Sequence, residues 1–478
     1  MSRTVECLPD VALPAMLGVR TAHLVGVCGS GMKALAELLS GQGWKISGSD
    51  LHLTGETPQA LAKRGLRLHQ GHQREFLPHD AELLVYSPAI GPHNPERVAA
   101  AERGLPQLSY TQMLGELMRS RTGLSIAGTH GKSTTTAMTG CILTDAHYDP
   151  SVIVGAEVRG RNSNGWGGLG EFFVAESCEF QRGFLDLNPR FAAILGVETD
   201  HFDCFSDLDE TVAAFAAFAT KLPADGGLIV RDEAASIRAA RSSTVPFETF
   251  SLEPSSDWWA TDLRYNHEGT RFHIFRRGEH FAEITLRIPG EHNVLNALAA
   301  AALCSMAGAT PAEIREGLNA FSGIKRRLET IGTWRGITII DDYAHHPTAV
   351  RASLETIRRQ FPERRIWCVF QPHQVSRTQA LMADFATSFQ AADAVLIVPV
   401  FAARETVRQE PAETARELAA RIDANGVPAR FCSALDQSIS TLDDDLRPGD
   451  VLVTMGAGDI GQVHYAFTQR LQRHYPPR

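Results

Sequence analysis

Residues 128–136, GTHGKSTTT, place glycines, a lysine and several hydroxyl side chains in an order typical of phosphate-binding loops. The common P-loop pattern has its first glycine at the position of Ile126, whereas Gly128 comes two residues later. The segment is therefore either a nucleotide site of another design or a loop that contains Gly-Lys-Ser by chance.

The elements predicted around this segment favour a nucleotide site. Residues 124–127 predict a strand and residues 133–136 the start of a helix. The turn between them presents backbone N–H groups of Gly128, Gly131 and Lys132 at the positive end of a helix dipole, which attracts anions. We expect the lysine to contact the terminal phosphates. The alternative is a solvated lysine at the start of a helix.

Three segments offer ligands for a magnesium ion beside such a site. The hydroxyl of Ser133 or Thr134 is one candidate. ESCEF, which begins at Glu176, and ETDHFD, which contains His201, each follow an apolar run that predicts a buried strand. Mg²⁺ prefers oxygen ligands and keeps some waters and phosphate oxygens. We therefore expect Glu176 to bind it and His201 to be a second ligand; the alternatives are a capping acid and a surface histidine.

The segment PGEHNVLNALAAAALC, residues 289–304, carries His292, Asn293 and Asn296 into an apolar helix. An asparagine amide has a donor and an acceptor, so it can pair with N6 and N7 of adenine. N-capping of the helix by Asn293 is the alternative. The spacing does not decide between them.

Two further segments place polar groups at predicted strand ends. GSGMKA, residues 29–34, fits the dinucleotide fingerprint with alanine last, and Asp50 follows where a ribose-binding carboxylate belongs. This turn suits NAD or any nucleotide diphosphate. DDYAHHP and FQPHQVSRT, nearer the C-terminus, contain Asp342, His345, His346, His373 and Arg377. The paired histidines suggest a metal, but no third ligand follows at zinc spacing, so zinc is disfavoured.

The composition is that of an ordinary globular enzyme. The 478 residues are 44% hydrophobic and 21% charged, which is enough chain for two to four domains. A net charge of -9 argues against a general nucleic-acid binder. No apolar run is long enough to insert in a membrane, and the first ten residues do not resemble a signal peptide. Eight scattered cysteines without a Cys-x-x-Cys pair suit reduced thiols in a cytoplasm.

Three segments begin like strand–turn–helix units, at His23, Gly123 and Gly336. This repetition predicts an α/β protein with mostly parallel sheets and helices on their faces. Joints near Arg121 and Gly323 divide it into predicted domains 1–122, 123–324 and 325–478. In such sheets ligands bind at the carboxyl ends of the strands, where all of these turns fall.

Taken together, these motifs resemble the Mur ligase family from His23 to about Gly461. They are HLVGVCGSGM, SGSD, GTHGKSTTT, PGEHNVLNALAA, IKRRLE, DDYAHHPTAV, FQPHQVSRT and GAGDIG. The family's P-loop, G-T-x-G-K-[ST]-[ST], is shorter than the common pattern and accounts for the displaced glycine.

The resemblance implies a Rossmann-like UDP-binding domain, a central P-loop ATPase-like domain and a C-terminal Rossmann-like domain that binds the amino acid. It also implies an activity, with ATP and Mg²⁺ as cofactors, in cytoplasmic peptidoglycan precursor synthesis. L-alanine would be joined to the lactyl carboxylate of UDP-N-acetylmuramate through an acyl phosphate. The oligomeric state stays open between a monomer and a homodimer.

Carried over residue by residue, the resemblance implies three groups of site residues. Those expected to bind the UDP-sugar are Gly29, Ser30, Gly31, Met32, Asp50, His72 and Ser87. Those expected to bind ATP are Gly128, Thr129, His130, Gly131, Lys132, Ser133, Thr134, His292, Asn293, Asn296, Arg327, Asp342 and Tyr343. Those expected to act in catalysis are Lys132, Glu176, His201, Arg327, His346 and Arg377. The implied Mg²⁺ ligands are Ser133, Thr134, Glu176 and His201.

The chain departs from the family pattern at Gly196, where asparagine is usual, at Ser177 and Cys178, and at Gln374, where some relatives have arginine. The first departure affects one contact to ATP, and the last leaves Arg377 as the expected partner of substrate charge. Three alternatives remain. The presence of Lys132 and Glu176 argues against the first, a non-catalytic nucleotide-binding regulator. A ligase that recycles a ready-made tripeptide would share the UDP domain, although FQPHQVSRT favours single alanine. An NAD-dependent dehydrogenase would leave the P-loop unexplained.

Overall fold

The computed structural model describes residues 18–200, 202, 204–266, 269–403, 405 and 411–474. Its first unit, residues 21–119, is a five-stranded sheet in the order β3-β2-β1-β4-β5, in which all neighbours are parallel. Its elements are β1 (Thr21–Val25), α1 (Ser30–Gly41), β2 (Lys45–Asp50), α2 (Glu56–Lys63), β3 (Arg67–Gln70), β4 (Leu83–Tyr86), α3 (Pro95–Glu102), β5 (Gln107–Ser109) and α4 (Tyr110–Arg119).

The middle unit, residues 122–320, is a ten-stranded sheet in the order β15-β14-β13-β12-β11-β10-β6-β9-β7-β8. Its elements are β6 (Thr122–Ala127), α5 (Lys132–Asp145), β7 (Ser151–Val158), β8 (Ser163–Trp166), β9 (Phe172–Glu176), β10 (Phe191–Ile194), α6 (Leu208–Ala219), β11 (Gly227–Arg231), α7 (Ala234–Ala240), β12 (Phe247–Ser251), β13 (Trp258–Asn266), β14 (Gly269–Arg276), β15 (Glu279–Leu286), α8 (Glu291–Met306) and α9 (Pro311–Ala320).

The third unit, residues 329–474, has six strands in the order β16-β17-β21-β18-β19-β20. Only the β16–β17 pair among them is antiparallel. Its elements are β16 (Glu329–Trp334), β17 (Ile337–Asp342), α10 (Pro347–Gln360), β18 (Ile366–Phe370), α11 (Val375–Ala380), α12 (Met382–Ala386), β19 (Ala394–Ile397), α13 (Pro411–Ala424), β20 (Ala429–Phe431), α14 (Leu435–Asp445), β21 (Val451–Met455) and α15 (Gly461–His474).

The predicted mostly parallel α/β architecture is confirmed. Strands β6, β9, β10 and β17 form at the apolar segments that predicted them, and β17 ends in the two carboxylates. Pro347 occupies the first turn of α10, as predicted, because its fixed φ and missing N–H suit that position. The domain boundaries stay a prediction; β6 begins one residue before the expected second segment.

Two antiparallel parts of the middle sheet were not predicted. Strands β13, β14 and β15 extend one edge, and β8 pairs with β7 at the other. The edge β7–β8 is also where the first unit docks. Lys33 of α1 donates to Asn164 Oδ1 at 2.9 Å, and Ser163 donates to Glu37 at 2.9 Å. These buried polar contacts fix the first sheet against the middle one.

Close helix packing holds the phosphate-binding turn in place. Helix α5 is buried along most of its length because α8 and α9 cover it. Small residues permit this approach: residues 297, 299, 300, 301 and 302 of α8 are fully buried alanines. A Cβ on Gly317 of α9 would lie 2.8 Å from the backbone of Ile142. In the described part of the chain, no helix is long and apolar enough to span a membrane.

Candidate active site

A cavity of about 510 Å³ lies where the three units meet. Its walls combine the turn before α1, the turn before α5, the ends of β9 and β17, and the loop before α11. Parallel strands bring loops together at their carboxyl ends, which explains why residues distant in sequence converge here. The predicted site residues in its lining are Ser30, Thr129, His130, Gly131, Lys132, Ser133, Glu176, Arg327, Tyr343, His346 and Arg377.

The turn before α5 has the geometry expected of an anion site. Gly131 precedes the helix with φ at 81°, in the left-handed region that glycine adopts without strain. A Cβ there would lie 2.2 Å from Asn296 Oδ1, so any larger residue would displace the Asn296 side chain. The helix begins at Lys132, one residue earlier than predicted. Thr129 N donates to Gly196 O at 2.9 Å, which anchors the turn to the loop after β10.

Lys132 is held in the cavity, so the alternative of a solvated lysine at the start of a helix is wrong. Its side chain is 12% exposed, and Nζ lies 3.0 Å from Glu179 Oε2. It also donates to the carbonyl oxygens of Gly128 and Thr129. Burial opposes the charge, but Glu179 with Cys178 and Glu176 raises the pKa of Lys132 above its ordinary value. The lysine is therefore a fixed cation at neutral pH.

Glu176 occupies the last position of β9, where its carboxylate reaches the cavity. Among the described residues its hydrogen bond is to a strand and not to a helix end: Oε2 accepts the N–H of Gly155 in β7 at 2.7 Å. Ser133 lines the same cavity, and Thr134 lines the adjoining one. One carboxylate and two hydroxyls are the oxygen donors that Mg²⁺ accepts, so the residues fit that ion. The prediction for His201 falls outside the described residues.

A second cavity of about 220 Å³ adjoins the first on the α8 side. His130 and Arg327 line both cavities, so the two are continuous around these side chains. This arrangement would place a nucleoside in one cavity and its phosphates at the opening of the other. The predicted ATP residues that line the second cavity are His130, Gly131, Thr134, His292, Asn293, Asn296, Arg327 and Asp342.

The start of α8 excludes one of the two interpretations of Asn293, and pairing with adenine stays a prediction. The helix begins at Glu291 after Gly290, so Asn293 is not its N-cap. Instead its amide donates to Pro289 O at 2.6 Å, and its Oδ1 accepts from Asn296 Nδ2 at 3.2 Å. Both asparagines thus line the cavity in fixed orientations. Burial, together with the nearby Arg327, lowers the pKa of His292 to about 4, so this imidazole is neutral.

Arg327 lies in the linker between the middle and third units. The residues on both sides of it, Arg326 and Leu328, have φ of 59° and 47°. Non-glycine residues adopt this region at a cost, which surrounding contacts must offset. Asp342 supplies such a contact: its carboxylate accepts the N–H groups of Leu328 at 2.7 Å and Ala344 at 2.8 Å. Arg327 is thereby held between the two cavities.

The third unit closes the cavity through a buried ion pair. Arg377 Nε donates to Asp200 Oδ1 at 2.8 Å, and the two side chains are 3% and 8% exposed. Arg377 Nη1 also lies 3.1 Å from His373 Nδ1. Asp200 belongs to the middle unit, so the pair spans the interface. The Tyr343 ring lies 5.0 Å from the Arg327 guanidinium carbon.

Of the predicted UDP-sugar residues, Ser30 lines the shared cavity and the others lie at the carboxyl edge of the first sheet. Gly29 precedes α1, and a Cβ on Gly31 would lie 2.7 Å from Tyr110. Asp50 at the end of β2 accepts the N–H of Cys28 at 2.9 Å.

His72, Ser87 and Met32 have different surroundings. A 3.0 Å hydrogen bond joins His72 Nδ1 to Ser49 Oγ, and His72 Nε2 has no partner among the described residues. Ser87 lies beside Gly26 in the turn after β1. The Met32 side chain packs in the first core, so only its backbone can face a ligand.

The structure explains one departure from the family pattern, Gly196, and locates two others, Cys178 and Gln374. Gly196 adopts φ of 150°, and Glu233 accepts the N–H of Val197 beside it at 2.8 Å. Its carbonyl still anchors Thr129. Cys178 is exposed to the shared cavity, and Gln374 lines it from the position before α11.

Several functional candidates escaped sequence reasoning. They are Lys33, Glu179, Glu198, Asp200 and Lys325. Glu179, Glu198 and Asp200 stood inside motifs that were singled out for their neighbours, so the strand-end signal was present. Partners of these five residues lie far away in sequence. Glu157, for example, pairs with Lys33 at 3.2 Å and with Lys325 at 2.8 Å.

The fold and the site define a three-unit α/β protein whose phosphate-loop turn lies in a cleft shared by all units. Three family models match successive parts of the chain: "Mur ligase family, catalytic domain" over residues 21–122, "Mur ligase middle domain" over 126–304, and "Mur ligase, glutamate ligase domain" over 326–458. The chain belongs to the Mur ligase family.

Individual relatives agree with this assignment. The UDP-N-acetylmuramate–L-alanine ligase of Desulfitobacterium hafniense is 41% identical, covering 92% of this chain and 98% of its own. The crystal structure of the Thermotoga maritima UDP-N-acetylmuramate–alanine ligase MurC has a TM-score of 0.81 at 26% identity, covering 95% and 99%. A murein peptide ligase from Psychrobacter arcticus has a TM-score of 0.71 at 26% identity, covering 95% and 98%.

The low pKa of His292 makes the stability of the protein depend on pH. In the unfolded chain this histidine binds a proton below about pH 6.5, whereas the folded state resists protonation until about pH 4. We therefore expect stability to fall as pH drops through this window, by about 1–2 kcal/mol at pH 5 from this residue. Denaturant unfolding at pH 7 and pH 5 should show a smaller fall for His292→Gln than for the wild type.

The matched control is His79→Gln, because His79 is exposed in a loop of the first unit. This variant should lose as much stability between the two pH values as the wild type. An equal loss in all three proteins would contradict the assignment of a neutral, buried His292.

Proposed function

We propose that this protein joins L-alanine to the lactyl carboxylate of UDP-N-acetylmuramate, with conversion of ATP to ADP and phosphate, in peptidoglycan precursor synthesis in the cytoplasm. The observation that carries the proposal is a near full-length relative, 41% identical, that is named for this reaction. The geometry supports it, because a phosphate-loop lysine, a magnesium-type carboxylate and the arginines Arg327 and Arg377 face one cavity.

The first chemical requirement is activation of a carboxylate. A carboxylate is a poor electrophile, and transfer of the γ-phosphoryl group gives it a leaving group. Two anions must then approach each other, so positive charge must already be in place. Lys132 and Arg327 both line the larger cavity and would supply that charge. Mg²⁺, held by Glu176 with Ser133 or Thr134, would neutralise phosphate charge when it is bound.

The second requirement is binding of an amino acid beside the activated carboxyl group. Asp200 and Arg377 offer opposite charges in one buried pair. A zwitterionic amino acid carries the complementary charges, so its ammonium and carboxylate groups could enter without leaving either residue unpaired. His346 and Tyr343 line the same wall. Closure of the third unit would keep water from the acyl phosphate.

The UDP-sugar belongs on the first unit in this proposal. The turn at Gly29 and Ser30 would hold the diphosphate, with Asp50, His72 and Ser87 near the uridine and its ribose. Ser30 lies on the shared cavity, so the lactyl group could extend from there toward the P-loop. We assign the domains as 1–122, 123–324 and 325–478. Family membership leaves no support for the dehydrogenase alternative.

Transfer of a ready-made tripeptide to the same UDP-sugar is the second candidate. The murein peptide ligase of Psychrobacter arcticus covers 95% of this chain with a TM-score of 0.71, so the fold accommodates that activity. The sequence relatives at 36–41% identity favour single alanine. The two activities differ in the acceptor, which a direct assay distinguishes.

The deciding assay is phosphate release from ATP with UDP-N-acetylmuramate and one acceptor at a time. The acceptors are L-alanine, glycine, L-serine and the tripeptide L-Ala-D-Glu-diaminopimelate. We expect release with L-alanine and a product heavier by one alanyl residue. Release with the tripeptide alone would assign the second candidate, and no release with any acceptor would overturn the proposed reaction.

Lys132→Ala should separate the two substrate sites. The variant loses the cation at the phosphate opening, so we expect ligation to fall by at least about 100-fold. Binding of the UDP-sugar, measured by calorimetry, should be unchanged because that site lies on the first unit. Lys45→Ala removes an exposed lysine of the first unit and should leave both properties intact. Equal loss of ligation and UDP-sugar binding in Lys132→Ala would refute this division.

Glu176→Gln tests the magnesium assignment. Loss of the anionic oxygen should raise the Mg²⁺ concentration needed for half-maximal ligation by about 10-fold or more. Glu171→Gln, at an exposed position just before β9, is the matched control. A magnesium titration of Glu176→Gln that overlays the wild type would remove Glu176 from the metal site.

A further inference from the structure

Three side chains from separate loops meet at the boundary between the two cavities. His130 comes from the phosphate-binding turn, Glu198 from the loop after β10, and His346 from the residue before α10. One ligand atom from each lies within 4.8 Å of the other two. The first two belong to the middle unit and the third to the third unit, so the cluster spans the interface.

The distances within this cluster leave a gap rather than direct hydrogen bonds. Glu198 Oε2 lies 3.6 Å from His130 Nε2 and 3.7 Å from His346 Nδ1. Hydrogen bonds between such atoms are about 2.7–3.2 Å long. The two imidazole rings tilt toward each other with centroids 4.8 Å apart. The three groups therefore surround a common point without closing on it.

That gap has the size of a metal ion with nitrogen and oxygen ligands. Zinc–ligand bonds of about 2.0–2.1 Å in a tetrahedron separate neighbouring ligand atoms by about 3.3 Å. Glu198 Oε2 would have to approach each histidine nitrogen by a few tenths of an ångström, and the two histidine nitrogens, now within 4.8 Å of each other, by up to about 1.5 Å. His130 Nε2 is buried and has no hydrogen-bond partner among the described residues, so its lone pair is available to a metal ion.

The surroundings of Glu198 also suit a metal ligand. Thr348 Oγ1 donates to Glu198 Oε2 at 2.7 Å, which orients the carboxylate in the way that outer-shell hydrogen bonds orient metal ligands. His346 is 5% exposed, and its Nδ1 accepts the N–H of Thr348 at 3.4 Å as the N-cap of α10, a long hydrogen bond that an ion bound at Nδ1 would replace. Two imidazoles and one carboxylate match the preference of Zn²⁺ and its neighbours, not the all-oxygen preference of Mg²⁺.

We propose that His130, Glu198 and His346 form a site for a single transition-metal ion of the zinc type, with the fourth position open to water or a ligand oxygen. Such an ion would tie the phosphate-binding turn to the third unit. It would thereby hold the cleft closed at the junction of the two cavities. Nucleotide and ion would then compete for His130, so each should weaken the binding of the other.

The test uses the full-length protein without substrates, so its result is independent of the proposed ligation. Co²⁺ serves as the probe because it replaces Zn²⁺ and gives visible d–d absorption bands in tetrahedral nitrogen and oxygen sites. We expect one Co²⁺ to bind per chain in excess Mg²⁺, with bands of tetrahedral intensity, and to be displaced by one Zn²⁺. His130→Gln and His346→Gln should each weaken Co²⁺ binding by more than about 10-fold.

His280→Gln is the matched control, because His273 and His280 form an exposed histidine pair with ring nitrogens 3.1 Å apart. This variant should keep the tetrahedral bands and the affinity of the wild type. Melting curves without metal establish that each variant is folded, and His130→Gln serves as the second probe if His346→Gln is not. Absence of tetrahedral bands in the wild type, or their loss in His280→Gln alone, would overturn the proposal.

Discussion

The cleft depends on one buried ion pair, Asp200 with Arg377, that joins the middle unit to the third. Both side chains are almost fully removed from water, and such a pair is stable only when its geometry and its other hydrogen bonds are good. His373 provides a further contact to the guanidinium. Together with the linker at residues 321–328 and the hydrogen bond from Thr348 to Glu198, this contact positions the walls that the third unit contributes to the shared cavity.

The charges in the cleft are also paired, because each buried cation needs an anionic partner. Lys132 is matched by Glu179, and Lys33 and Lys325 are both matched by Glu157. These cations would otherwise bear the full cost of desolvation. Phosphates and carboxylates that enter can replace or supplement the protein's own carboxylates. Because its lysines already have carboxylate partners, the site can stay folded without anionic ligands. The same lysines remain positioned to bind those ligands.

Sequence reasoning predicted the parts of this arrangement that local pattern determines. Apolar runs followed by glycine or carboxylate identified the strand ends, and Lys132 and Glu176 lie in the cavity as those positions require. Local pattern could not supply the partners. Asp200 and Arg377 are 177 residues apart, and Lys132 and Glu179 are 47 apart. The antiparallel extension β13–β15 was also missed, since no site motif drew attention to it.

The histidine pair in DDYAHHP shows why spacing alone misleads. A search for a third zinc ligand nearby in sequence finds none, and the inference that zinc is disfavoured follows correctly from that premise. In the folded protein, ligands that are distant in sequence come together. Glu198 lies close to His346 although they belong to different units, and His130 of the phosphate-binding turn lies close to Glu198. The ligand set is therefore complete only when the third unit is docked. A metal site of this kind would report on closure of the cleft, and the ion pair of Asp200 and Arg377 would be its structural precondition.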